Sequence, residues 1–164
     1  MVTALRPSIT APVIRRATRS DFPWLVDLGM RAFADLGDYR DVLPAWLAQP
    51  NVVSWIDDPT PRRGFVMMAF YRDDTCGDQV ADLLAISVEP VWRRHGLGRA
   101  LLDHAVAMAR ASARGTPLVE LRLCVAEHNL RAQRMYERAG FRVMPVDAGR
   151  YGGGQRAIRM AIAL

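Results

Sequence analysis

The stretch Trp92-Arg93-Arg94-His95-Gly96-Leu97-Gly98-Arg99-Ala100-Leu101-Leu102 follows closely on an apolar run and carries the first residues of a helical pattern. It reads as a tight cationic turn between a strand and a helix N-terminus. Such a turn aims several backbone N–H groups in one direction and adds the positive end of the helix dipole. With Arg93, Arg94 and Arg99 around it, its natural partner is a phosphate-bearing ligand. Upstream lies the extended run Val80 to Val88. Downstream, Leu101, Leu102, Ala105, Val106 and Ala109 recur on one side of a helix predicted from about Gly98 to Arg114, with a stop at Gly115 and Pro117. The next run, Leu118 to Val125, alternates Leu121, Leu123 and Val125 against Glu120, Arg122 and Cys124, the pattern of a strand with one buried face. Strand, helix and strand in this order imply a right-handed crossover between two parallel strands.

Further out, Val13 to Ala17 is a strand, and Thr18 to Asp21 supplies capping side chains for a helix predicted from Phe22 to about Leu36. Gly37 to Asp41 breaks that helix, and Val42 to Ala48 forms a second, short one. Val52 to Ile56, Phe65 to Tyr71 and Val80 to Val88, separated by turn-rich segments, read as an antiparallel meander. After the crossover a helix is expected over Asn129 to Ala139, then a closing hairpin of Phe141 to Val146 and Ala157 to Ala163 around Gly152 to Gly154. The fold class is therefore α/β with a mixed, mostly antiparallel sheet and about four helices. The 164 residues fit a single domain, 1–164, with residues 1–12 a flexible or extended leader to it.

Composition narrows the function classes. The net charge is +5 and every basic residue is arginine, spread along the chain without a basic and aromatic stripe, so nucleic acid is not an expected partner. Cys76 and Cys124 are the two cysteines, read as free thiols, and no metal-ligand spacing is present. Met1 to Val13 holds Pro7 and Pro12 and no apolar core of signal-peptide length, and no apolar run approaches membrane-spanning length. The expected location is the cytoplasm, without a membrane partner.

The combination of the run ending at Val88, Pro90, Arg93-x-x-Gly96-x-Gly98, an amphipathic helix, the strand to Val125, Asn129, and Tyr136 ahead of Gly140-Phe141 resembles the GCN5-related N-acetyltransferase superfamily from Asp82 to Phe141. The resemblance implies that acetyl coenzyme A is the acyl donor and that its pyrophosphate lies on the turn formed by Arg93, Arg94, His95, Gly96, Leu97, Gly98 and Arg99. It also implies that the amide of Ile86 faces the acyl carbonyl, that Ser87 and Val88 pair with the pantetheine arm as another strand would, and that Asn129 contacts the donor. By the same likeness Tyr136 is the general acid for the departing thiolate; on local grounds it is equally a core aromatic. Asp82 stands where several members place a catalytic glutamate and is the first candidate base, with Glu89 and Glu127 as weaker alternatives and an exposed strand-end carboxylate as the plain reading. Ribosomal-protein N-terminal acetyltransferases carry a glutamate where Cys124 stands, which argues against a peptide N-terminus as acceptor. Acceptor contacts are expected from the loops, with Asp35, Asp38, Tyr39 and Tyr151 forming an acidic and aromatic rim suited to a small cationic amine. A non-catalytic acyl-coenzyme-A sensor, an acceptor that is protein or aminoacyl-tRNA, and pairing into a homodimer stay open at this stage.

Overall fold

A computed structural model of the protein describes residues 9–164. Seven strands form one sheet: β1 (Ile14–Arg16), β2 (Val52–Asp57), β3 (Gly64–Arg72), β4 (Gln79–Val88), β5 (Leu118–Ala126), β6 (Arg142–Val143) and β7 (Ala157–Ala163), in the spatial order β1-β2-β3-β4-β5-β7-β6. All neighbours run antiparallel except β4 and β5, the parallel pair expected from the crossover. Among the described residues there are four α-helices: α1 (Phe22–Ala32), α2 (Val42–Leu47), α3 (Leu97–Ala113) and α4 (Leu130–Arg138).

The sheet separates two cores. On one face α3 and α4 cover Val66, Met68, Leu83, Leu121, Leu123, Met160 and Ile162, so both parallel strands and β7 are sealed on that side. On the other face α1 and α2 pack over Ile56, Phe65, Met67 and Ala85 of β2, β3 and β4. That second core takes no residue from β5 or β7, whose polar side chains therefore lie on an uncovered face. The alternation of Leu121, Leu123 and Val125 with Glu120, Arg122 and Cys124 is a consequence: odd positions enter the α3 side, even ones the open side.

The boundaries differ from expectation in two places. α1 stops at Ala32 because Phe33 leaves helical geometry (φ −110°, ψ 13°), which releases residues 33–41 as a loop. β6 shrinks to Arg142–Val143: the Met144 amide still donates to the Arg159 carbonyl of β7 (2.9 Å), after which the chain leaves on a long excursion with one isolated bridge at Arg150 and Arg156. The N-terminal segment 1–12, expected to be flexible or extended, falls largely outside the described residues. Arg63 donates to the carbonyl oxygens of Thr10 (3.2 Å) and Ala11 (3.4 Å) and holds those two residues against the sheet.

Candidate active site

The site originates in an irregularity of β4. Opposite β3, Met67 pairs with Ala85 but Met68 pairs with Leu83, so Leu84 is an extra residue and the strand bends there. On its other edge β4 pairs with β5 from Gln79 to Leu83 and no further, although β4 runs on to Val88 and β5 to Ala126. Beyond Leu83 and Leu123 the two parallel strands diverge. The result is a groove of about 360 Å³, lined on one wall by Leu84, Ile86, Ser87 and Val88, on the other by Cys124, Val125 and Ala126, and closed behind by Met135 and Tyr136 of α4. Strand edges that part in this way leave backbone groups to be matched by an extended ligand.

At one end of the groove stands the cationic turn. Gly96 is the N-cap of α3 and has φ +82°, a conformation that disfavours any side chain, while open space surrounds its Cβ position. At Gly96 the requirement for glycine is conformational, and Gly98 alone borders the groove. Arg94 also adopts a left-handed conformation (φ +64°), the kind of local strain that collects at functional sites. Leu97 is buried in the core, so only its backbone can face a ligand. Arg93 lines the groove and donates from Nε to the carbonyl oxygen of Val88 (2.9 Å), fixing the end of β4 to the turn. His95 Nδ1 lies 3.3 Å from the Trp92 carbonyl oxygen and belongs to the turn's own closure, whereas Arg99 is paired with Asp103 at 2.7 Å on the exposed face of α3. The first-turn amides of α3, lacking intrahelical acceptors, remain the turn's main donors.

α4 and its N-cap bring two residues to the groove. Asn129 caps the helix, its Oδ1 accepting from the amide of Ala132 at 3.2 Å, and it lines the groove. Tyr136 is only 5% exposed, packs against Phe141 with ring centroids 6.0 Å apart, and reaches the groove wall. Burial pushes its phenol up to about 12, which keeps it protonated at any physiological pH.

The far end of the groove is roofed by loops. The amide of Gly153 donates to the Leu36 carbonyl (2.8 Å), and Gln155 Nε2 donates to that of Asp35, joining the 144–156 excursion to loop 33–41. A Cβ at Gly153 would come within 2.3 Å of the Asp35 carbonyl oxygen, so this closure needs glycine. Asp35, Tyr39 and Tyr151 line the groove beneath the roof, and burial raises both phenols. Asp38 does not join them: its Oδ1 accepts from the amide of Arg40 (3.0 Å), and it serves its own turn. His128, unassigned from sequence, borders the groove with Nε2 3.8 Å from Asp35.

Asp82 lies deeper on the open face and is not part of the groove wall. Tyr71 donates to its Oδ2 at 2.8 Å; burial, and then this bond, push the Tyr71 phenol up to about 12. Arg159 of β7, directly across from Cys124, reaches back over β5 until Nη1 is 3.8 Å from Asp82 Oδ1. Cys124 opens onto the groove, yet burial raises its thiol, so it is poorly suited to nucleophilic attack. Glu89, the alternative base, is clasped by both Nη atoms of Arg31 (3.2 and 3.0 Å) and ties α1 to the end of β4. The sequence did carry a signal for Arg159: it is the only charge within the apolar strand Ala157–Ala163. Its cross-strand position was what remained hidden.

A mixed sheet parted between two parallel strands, with a glycine-bearing turn and a helix N-terminus at the mouth, makes this an α/β domain open along its central parallel pair. Residues 16–141 match the Acetyltransferase (GNAT) family, and the chain belongs to it. Curated relatives include mycothiol acetyltransferases of Mycobacterium sp. (strain JLS), 25% identical over 84% of this chain and 44% of the relative, and of Nocardiopsis dassonvillei, 29% identical over 87% and 46%. The chain thus spans less than half the length of these relatives. Among solved structures, Arabidopsis thaliana NAA60 in complex with acetyl-CoA has a TM-score of 0.74 at 20% identity, covering 94% of this chain and 99% of that one. The ribosomal-protein-S18-alanine N-acetyltransferase of Escherichia coli has a TM-score of 0.67 at 22% identity over 93% and 94%. At these identities the structural likeness is one of fold. No helix among the described residues is long and apolar enough to cross a membrane.

Proposed function

We propose that this chain transfers the acetyl group of acetyl coenzyme A directly to the nitrogen of an amine. The observation that carries the reading is the continuity of one groove from Arg93 and Gly98 of the turn, along the parted edge of β4, to Tyr136. Acetyl coenzyme A fits the residues present: an extended amide-bearing arm matches the backbone of Ile86, Ser87 and Val88, and a pyrophosphate matches the amides at the start of α3 with Arg93 beside them. When bound it supplies an activated acetyl thioester.

The chain's own residues do the rest. Backbone amide donors past the Leu84 bulge, that of Ile86 foremost, stabilise negative charge on the acyl oxygen. The amine nitrogen forms the new C–N bond as the C–S bond breaks. The amine's proton passes to Asp82, through water since Asp82 lies below the groove wall, while Tyr136 gives its phenolic proton to the departing sulfur. The roof of loops 33–41 and 144–156 holds the acceptor and excludes bulk water. The curated relatives' name supports acetyl transfer.

Thermal denaturation with and without acetyl coenzyme A, followed by thiol release in the presence of diverse amines, tests the reading. A melting-temperature rise and amine-dependent thiol are expected. Tyr136→Phe should retain the rise and lose roughly 100-fold in kcat, the lower range for a general acid. No rise at millimolar donor would defeat the proposal.

A further inference from the structure

The acceptor end holds a cation that a purely cationic amine would meet with repulsion. Arg159 is 28% exposed at its side chain, its Nε is buried without any partner, and Asp82, the one carboxylate near it among the described residues, is 3.8 Å away, beyond hydrogen-bond length. Asp82 shows the complementary deficit, since Tyr71 occupies Oδ2 while Oδ1 is buried and unpartnered. The other arginine of this face is fully engaged: Arg122 binds both Asp73 and Glu120. A loose ion pair that leaves a hydrogen-bonding atom of each partner unmatched is costly where water is scarce, and β5 and β7 carry no helix on this side to complete it. Arg159 is the cross-strand partner of Cys124, which lines the groove together with Tyr39 and Tyr151, so the loosely matched pair lies just behind that wall.

We infer that Arg159 is a specificity determinant that binds a carboxylate of the acceptor, and that the acceptor is an α-amino acid. This rests on the transfer reading above and names the substrate class of the same site. In such a molecule the amine and the carboxylate share one carbon, so a single ligand presents its nitrogen toward Asp82 and its anion to the Arg159 guanidinium. A planar carboxylate matches the guanidinium fork, whereas a doubly charged phosphate would be set against Asp82 at short range. A polyamine leaves Arg159 without an anion. A peptide N-terminus has its carboxyl consumed in an amide and offers no charge to pair.

The test measures thiol release from acetyl coenzyme A with each of the twenty common L-amino acids and with the α-carboxamide of each. Those amino acids that react should exceed their carboxamides by about 10- to 100-fold in kcat/KM, the range of one charge-assisted interaction. In Arg159→Gln that ratio should fall to near one, chiefly through a raised KM for the amino acid, and Arg159→Lys should restore part of it. The melting-temperature rise with acetyl coenzyme A serves as the folding control for both variants. Equal rates for amino acids and carboxamides overturn the inference, as does turnover confined to amines without a carboxylate, such as spermidine, or a ratio that Arg159→Gln leaves intact. Absence of thiol from every amine, together with no melting-temperature rise, removes the transfer reading itself.

Discussion

Two arginine–aspartate pairs lie on this sheet and could hardly differ more. Arg63 and Asp57, 2% and 1% exposed, bond through two contacts (2.7 and 3.2 Å), and their remaining capacity is met by Thr10, Ala11 and the amide of Val13. Arg63 further lies against the ring of Trp92, 5.7 Å from its centroid, beneath the cationic turn. Arg159 and Asp82, 28% and 20% exposed, form a loose ion pair at 3.8 Å with no hydrogen bond between them and an orphaned atom on each. A saturated pair has nothing left to offer a ligand and acts as scaffold; an unsaturated one is held open for something that completes it.

That contrast can be broken by mutation. Asp57→Asn should cost about 3–5 kcal/mol in chemical denaturation, the penalty for leaving the Arg63 guanidinium buried without its partner. Gly153→Ala comes next, at about 1–3 kcal/mol for the forced shift of the Asp35 carbonyl. Because the damage lies in the roof, acceptor KM should rise while the donor-induced melting shift persists. Asp82→Asn should cost only about 1 kcal/mol, the Tyr71 bond, while slowing acetyl transfer. If it destabilised the fold as much as Asp57→Asn, Asp82 would be scaffold as well.

A pH titration sharpens the same distinction. Asp21 is buried and receives Arg15, Arg62 and the amide of Thr18, each at 2.8 Å; the hydrogen bonds from Arg15 above all hold its carboxyl far below the usual 3.8. Its folded-state pKa is depressed, so its contribution is present above the unfolded value and is lost as pH falls through and below about 4. The melting temperature of the wild type should decline there, and Asp21→Asn should begin lower at neutral pH and show a shallower decline.

The turn end of the groove was legible because it is local. The turn, its glycines and the α3 face are contiguous, Asn129 caps the helix that carries Tyr136, and each position follows from turn chemistry or helical period. The acceptor half was read less well. Asp35, Tyr39 and Tyr151 were expected and do meet under the roof, but Asp38 satisfies its own loop. The alternation of β5 put Cys124 opposite Leu123, without revealing that its face would stay uncovered.

By itself, then, the sequence determined the element order, the parallel crossover and the glycine-bearing turn at the start of α3, since these depend on interactions between residues near one another in the chain. Only the tertiary structure decided that α1 and α2 stop short of β5 and β7, and that Arg159 and Asp82, on strands separated by β5, meet without completing a bond. Register and docking are set by the packing of distant segments, and no short stretch encodes them.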